Sequence, residues 1–89
     1  MERREVIYSG HVQGVGFRYT AQGVARQFDV TGYVRNLDDG RVELVAEGSG
    51  QELDAFLGEI SSRMGHYVRN VKVRTCPPGG EFVDFRIRF

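Results

Sequence analysis

The apolar residues of this chain recur at two spacings, and the order in which those spacings alternate leaves few folds open. Residues 4–13 alternate through Val6, Tyr8, Gly10 and Val12, the period-two pattern of a strand with one buried face. Phe17, Ala21, Val24, Ala25 and Phe28 then fall at i, i+4, i+7, i+8 and i+11, which is one stripe of a helix. Asp29 and Val30 lead into a second strand, VTGYVRNL. Leu37-Asp38-Asp39-Gly40 reads as a hairpin, because an Asp-Gly pair tolerates the backbone angles of a tight reversal. RVELVAEG returns from it, with Val42, Leu44 and Ala46 facing inward. Ser49 and Glu52 have the spacing of a capping box and open a second helix, whose stripe is Leu53, Phe56, Leu57, Ile60 and Met64. Beyond Gly65, residues 67–74 alternate with Val71 and Val73 on one side, and after the CPPGG turn Val83, Phe85, Ile87 and Phe89 do the same.

The order βαββαβ with an extra terminal strand predicts an α+β, ferredoxin-like sandwich. Its antiparallel sheet has four to five strands, and two helices pack on one face. In that arrangement the first two strands run parallel, with the third inserted antiparallel between them. Their carboxyl ends share one edge, roughly 10 Å apart at about 4.8 Å per strand spacing. The turn after Val12 and the residues near Asn36 are therefore expected to face a common cleft.

The 89 residues suit a single domain, 1–89, of a size that buries about 60% of its unfolded surface. A content of 40% hydrophobic and 27% charged residues fits a soluble globular protein, and no apolar run approaches the roughly 18 residues of a membrane span. The start, MERREV, lacks the apolar core of a signal peptide, so a cytoplasmic location is expected. Lys plus Arg number 12 and Asp plus Glu 12, which removes any general attraction to nucleic acid or anionic membrane. An anion site must then be local. Cys76 is the only cysteine, which excludes an intrachain disulfide and a four-cysteine zinc site. It reads as a small apolar residue beside Pro77-Pro78. His11 and His66 lie far apart without a partner set, so no metal or other cofactor is expected. A monomer is the simplest expectation.

The stretch HVQGVGFRYT, residues 11–20, joins the first strand to the first helix. Gly14 and Gly16 can present backbone N–H groups where a side chain would block them, and the helix adds its partly positive amino end. Such a concave set of donors suits phosphate. Taken alone, a glycine-rich turn is more often plain backbone geometry. No third glycine completes GxGxxG and no GK[ST] follows, so the familiar nucleotide patterns fail. Arg18 is informative because it falls in the first helical turn, where a cation opposes the helix dipole. Its planar guanidinium matches phosphate oxygens, although an idle surface arginine is the plain alternative.

VQGVGFR at 12–18, GYVRN at 32–36 and DGRVE at 39–43 together resemble the acylphosphatases, over essentially the whole length and in the same motif order. The resemblance implies hydrolysis of a carboxyl-phosphate anhydride in a small-molecule acyl phosphate, by direct attack of water without a phosphoenzyme. It implies that the backbone of Gln13, Gly14, Val15, Gly16 and Phe17 and the side chain of Arg18 hold the phosphate, while Asn36 positions the water. Gln13 would lend its backbone N–H, a role insensitive to its side chain. The chemistry is consistent, because a carboxylate leaves as a weak base and needs no general acid, and phosphoryl transfer is chiefly positioning and charge stabilisation. Without the motif, Asn36 reads as a strand-end residue before a turn.

Arg35 points to the opposite face from its neighbour Asn36. His11 reads as a surface strand residue, His66 as a loop residue, and Tyr19 and Thr20 as helix surface beside the pocket mouth. The family usually has a Gly-Pro-containing turn after the second helix, whereas this chain has RMGHYV, which puts that loop's shape in doubt. Two other functions share the topology. An RNA-binding domain would stack bases on exposed aromatics of its central strands, but RVELVAEG carries none, leaving Tyr8 and Tyr33. A non-catalytic phosphate module, or the module that handles carbamoyl phosphate in hydrogenase-maturation proteins, is the other; the length of 89 residues disfavours that module.

Overall fold

A computed structural model describes all residues, 1–89. In chain order it has β1 (Glu2–Gly10), α1 (Phe17–Ala25), β2 (Val30–Asn36), β3 (Val42–Gly48), α2 (Gly50–Met64), β4 (Val68–Cys76) and β5 (Phe85–Arg88). The strands form one sheet in the order β4-β1-β3-β2-β5. As the βαββαβ pattern requires, β3 lies between β1 and β2 and is antiparallel to both. One pair departs from the expected antiparallel sheet: β5 runs parallel to β2, which makes the sheet mixed.

A single row of apolar side chains crosses the whole sheet, because register pairs Val73 with Val6, Val6 with Leu44, Leu44 with Val34, and Val34 with Ile87. Both helices cover this face. Phe17, Ala21, Val24 and Ala25 of α1 and Leu53, Phe56, Ile60 and Met64 of α2 are buried against it, in the helical stripes that the sequence predicts. Phe28 and Leu57 complete the stripes as half-buried neighbours of the core. Gly32 leaves no room for a side chain against β3: an added Cβ there would fall 1.9 Å from the Val45 carbonyl oxygen.

Several expectations need correction. β1 ends at Gly10 instead of residue 13, since the ladder to β4 shifts register between Ser9 and Gly10, although Val12 is still buried beyond it. Val71 and Val73 lie on the helix side, opposite Tyr8 and Val6, but β4 is an edge strand that α2 covers only in part, so they are exposed. Of the last alternating set, Phe85 and Ile87 pack against the core, whereas Val83 and Phe89 are exposed.

The CPPGG segment does not reverse the chain between neighbouring strands, because β4 and β5 occupy opposite edges of the sheet. Residues 77–84 instead form a strap across the face away from the helices. There the N–H groups of Gly79 and Gly80 donate to the Glu47 carboxylate, and the Phe82 ring packs edge-on against Tyr33. RMGHYV adopts a 3-10 turn at Gly65–Tyr67, with His66 exposed.

Candidate active site

From His11 to Gly16 the chain crosses the carboxyl edge of the sheet before α1 begins. The His11 amide donates to the Tyr67 carbonyl at 2.9 Å and anchors the start of this turn. Gly14 and Gly16 have φ of 77° and 78°, and no residue other than glycine has positive φ anywhere in the chain. The sign of φ therefore alternates from Gln13 to Phe17. That alternation turns successive N–H groups toward one side, a nest of the kind that suits an anion. A Cβ added at Gly14 or Gly16 would meet nothing within 4 Å. The glycines are thus required by their backbone angles, not by lack of room, which corrects the expectation that a side chain would block the turn.

The amides of this turn are open. None of the N–H groups from Val12 to Tyr19 donates to an acceptor in the protein. The amino ends of the two helices make the contrast clear. α2 has Ser49 as its cap, accepting from the Glu52 amide at 3.1 Å, and Glu52 in its first turn. α1 has Gly16 as its cap, no side-chain cap bond and no acidic residue in the first turn. The partial positive charge of its amino end is left unneutralised.

Arg18 adds a full charge. Arg3, Arg4, Arg35, Arg41, Arg63, Arg74 and Arg86 all pair with carboxylates, whereas Arg18, like Arg26, Arg69 and Arg88, pairs with none. Its guanidinium carbon lies 4.9 Å from the centroid of the Phe89 ring, a stacking contact that orients the cation without consuming its donors. Asn36 ends β2 on the same face as Val34, the helix side, and its carboxamide makes no hydrogen bond within the protein. Arg35 leaves for the other face as the alternation predicts, where its Nε donates to Glu43 Oε1 at 2.7 Å.

A cleft of about 160 Å³ brings these parts together, lined by Val12, Gly14, Gly16, Phe17, Arg18, Tyr19 and Asn36. Of the residues singled out in the sequence, Gln13 and Val15 turn their side chains elsewhere. Neither lines the cleft: Val15 packs against the core, and the Gln13 carboxamide bonds to the β2–β3 hairpin. Val12 and Phe89 enter the picture only in three dimensions, while Tyr19, expected as helix surface beside the pocket mouth, lines the cleft. Thr20 stays outside it. A larger cavity, about 280 Å³, lies between α2 and β4 over Tyr8, Ile60 and Val71. It contains none of the open amides, so chemistry and not size selects the smaller cleft. Nowhere do three His, Cys, Asp or Glu side chains gather in a way that could hold a metal ion.

The aromatics that could have stacked bases are otherwise engaged. Tyr8 is buried on the helix side, where desolvation pushes its hydroxyl pKa well above the ordinary value. Tyr33 donates to Glu43 Oε1 at 3.0 Å, and the Arg88 guanidinium covers its ring at 3.9 Å.

Comparison with known proteins points to one family. A family model described as Acylphosphatase matches residues 4–87. The acylphosphatase of Methanospirillum hungatei is 51% identical over 76 residues, which is 83% of this chain and 84% of that protein. The crystal structure of acylphosphatase from Bacillus subtilis superposes with a TM-score of 0.89 at 33% identity, covering 100% of both chains. HypF from T. kodakarensis matches with a TM-score of 0.84 and 27% identity, covering 100% of this chain but 12% of that one. Since the matching family model runs through the open turn, Arg18 and Asn36 and takes in both helices and most of the sheet, the chain belongs to the acylphosphatase family.

Proposed function

We propose that this protein hydrolyses acyl phosphates to a carboxylate and inorganic phosphate, with the phosphoryl group held by the amides of residues 13–18 and by Arg18. Asn36 orients the attacking water. The water oxygen bonds to phosphorus, the bridging P–O bond breaks, and its electron pair leaves on the carboxylate. One water proton stays on the phosphate and the other passes to solvent. Asn36 accepts from the water through its carbonyl and donates through its amide, and it is too weak a base to remove a proton outright. Preorganised donors at developing charge contribute about 3–4 kcal/mol each.

One observation carries the reading: a nest of unused amides, an unpaired guanidinium and an unpartnered carboxamide converge on one small cleft. The test is release of phosphate from benzoyl phosphate by purified protein without added metal. Folded protein that gives no more than the background rate defeats the proposal. Arg18→Ala and Asn36→Ala are each expected to lose at least about a hundredfold in kcat with little change in Tm. Wild-type turnover in either removes that residue from the mechanism.

One competing reading named from the sequence, a module for carbamoyl phosphate, is kept because this fold also occurs as 12% of a longer chain, HypF. Measuring kcat/KM for carbamoyl phosphate beside benzoyl phosphate separates the two. The proposal also takes the protein as a cytoplasmic monomer that needs no cofactor and binds no nucleic acid. Glu43 and the strap support the last point, because they occupy the sheet face on which bases would stack. Sedimentation and a titration with single-stranded RNA at moderate salt check these points.

A further inference from the structure

Two surface segments must keep a fixed separation for the proposed reaction to work: the turn that holds the anion and the strand end that carries Asn36. A single side chain joins them. Gln13 Nε2 donates to the Leu37 carbonyl at 2.8 Å and to the Arg41 carbonyl at 3.0 Å. Those two carbonyls belong to the neck of the β2–β3 hairpin. Leu37 O also accepts from the Gly40 amide at 3.2 Å, and Arg41 O from the Leu37 amide at 2.8 Å. Asn36 directly precedes Leu37 and pairs with Val42, the residue after Arg41. Both protons of the Gln13 carboxamide are therefore spent on the residues that flank the Asn36–Val42 pair.

We infer that Gln13 is a positioning residue that sets the distance between the anion nest and Asn36, and so between the phosphorus and the water that attacks it. The inference rests on the hydrolase reading above. Gly14 and Gly16 in the turn, and Asp38 to Arg41 in the hairpin, are all exposed. Cutting the Gln13 bridge leaves two exposed loops without a shared anchor at this point. The anion nest is built from local backbone angles and survives the cut, whereas the alignment of water with phosphorus does not. A misplacement of about 1 Å between reacting groups can cost on the order of a hundredfold in rate.

Gln13→Met keeps the length and removes both donors. Its kcat is expected to fall about tenfold or more, while the Kd for inorganic phosphate, read by calorimetry, moves less than about twofold. In an Asn36→Ala background the same change is expected to cost less than about twofold further, since the effect acts through Asn36. An unchanged kcat, a proportional loss of phosphate affinity, or the full loss repeated on Asn36→Ala overturns the inference. Should Gln13→Met not fold, Gln13→Glu supplies a second readout. Its carboxylate has no donor for two carbonyls, but protonation creates one O–H, so its kcat relative to wild type is expected to rise as pH falls from about 8 to 5. A flat ratio sinks the idea. Wild type is assayed alongside: if it releases no phosphate, the hydrolase reading fails, whereas active wild type with equally active variants condemns the role of Gln13 alone.

Discussion

At Gly16 an added methyl group has room, yet φ of 78° places the residue where an L side chain strains its own backbone. Gly16→Ala is expected to cost about 1–2 kcal/mol of stability, seen as a Tm lower by at least ~4 °C. A chain that escapes the strain by returning to negative φ swings an amide out of the nest. Phosphate affinity should then fall more steeply than stability; a variant that keeps wild-type phosphate affinity would show that the nest does not depend on this angle. The sequence makes both glycines, Arg18 and Asn36 visible, because each is an unusual residue for its place. The Gln13 side chain is invisible there, since its partners are carbonyls, and every residue has a carbonyl.

The two helices show how the same element is finished for different ends. α2 closes its amino end with Ser49, although Glu52 does not complete the predicted capping box. The Glu52 carboxylate accepts instead from the Asp29 amide at 2.8 Å and ties the approach to β2 onto the helix. α1 leaves its amino end bare. An acid at Tyr19, in that first turn and 65% exposed, would stabilise the helix by roughly 0.3–1 kcal/mol through its dipole. Tyr19→Glu is therefore expected to raise Tm slightly while weakening phosphate binding, because the added charge competes for the same field. Higher Tm with unchanged phosphate Kd would mean that the helix dipole plays no part in holding the anion. The helical stripes were fully legible, since a 3.6-residue period over several turns has few other meanings. The last two strands were legible as strands but not as neighbours, because a period of two shows which face a residue takes and not which strand lies alongside.

For the molecule as a whole, the strap at residues 77–84 decides what happens to the second face of the sheet. Glu47 is 2% exposed beneath it, with Arg3 Nε at 2.7 Å and the amides of Gly79 and Gly80 at 2.8 and 3.1 Å. Burial would raise its pKa, but the two amides and Arg3 outweigh burial and hold it below the ordinary carboxylate value. A carboxylate favoured in this way contributes its stability above the unfolded pKa, about 4.3, and loses it as pH falls through the lower folded value. Unfolding free energy should accordingly be level near neutrality and decline below about pH 4. Glu47→Ala, which leaves the Gly79 and Gly80 amides without an acceptor and Arg3 with only Glu81 and Glu5, is expected to cost about 3 kcal/mol at pH 7, with Tm lower by at least ~12 °C and a shallower acid limb. Wild-type Tm and an unchanged acid limb would show that the strap is held by other contacts. What the sequence determined by itself was the set of elements, the face each presents to the core and the residues proposed for a phosphate site, because periodicity, turn chemistry and local charge are properties of neighbours along the chain. The parallel β2–β5 pair, the exposed β4 edge, the burial of Glu47 and the bridge from Gln13 to the hairpin were decided only in the tertiary structure, because each depends on contact between segments far apart in sequence, and no local pattern records which of them will meet.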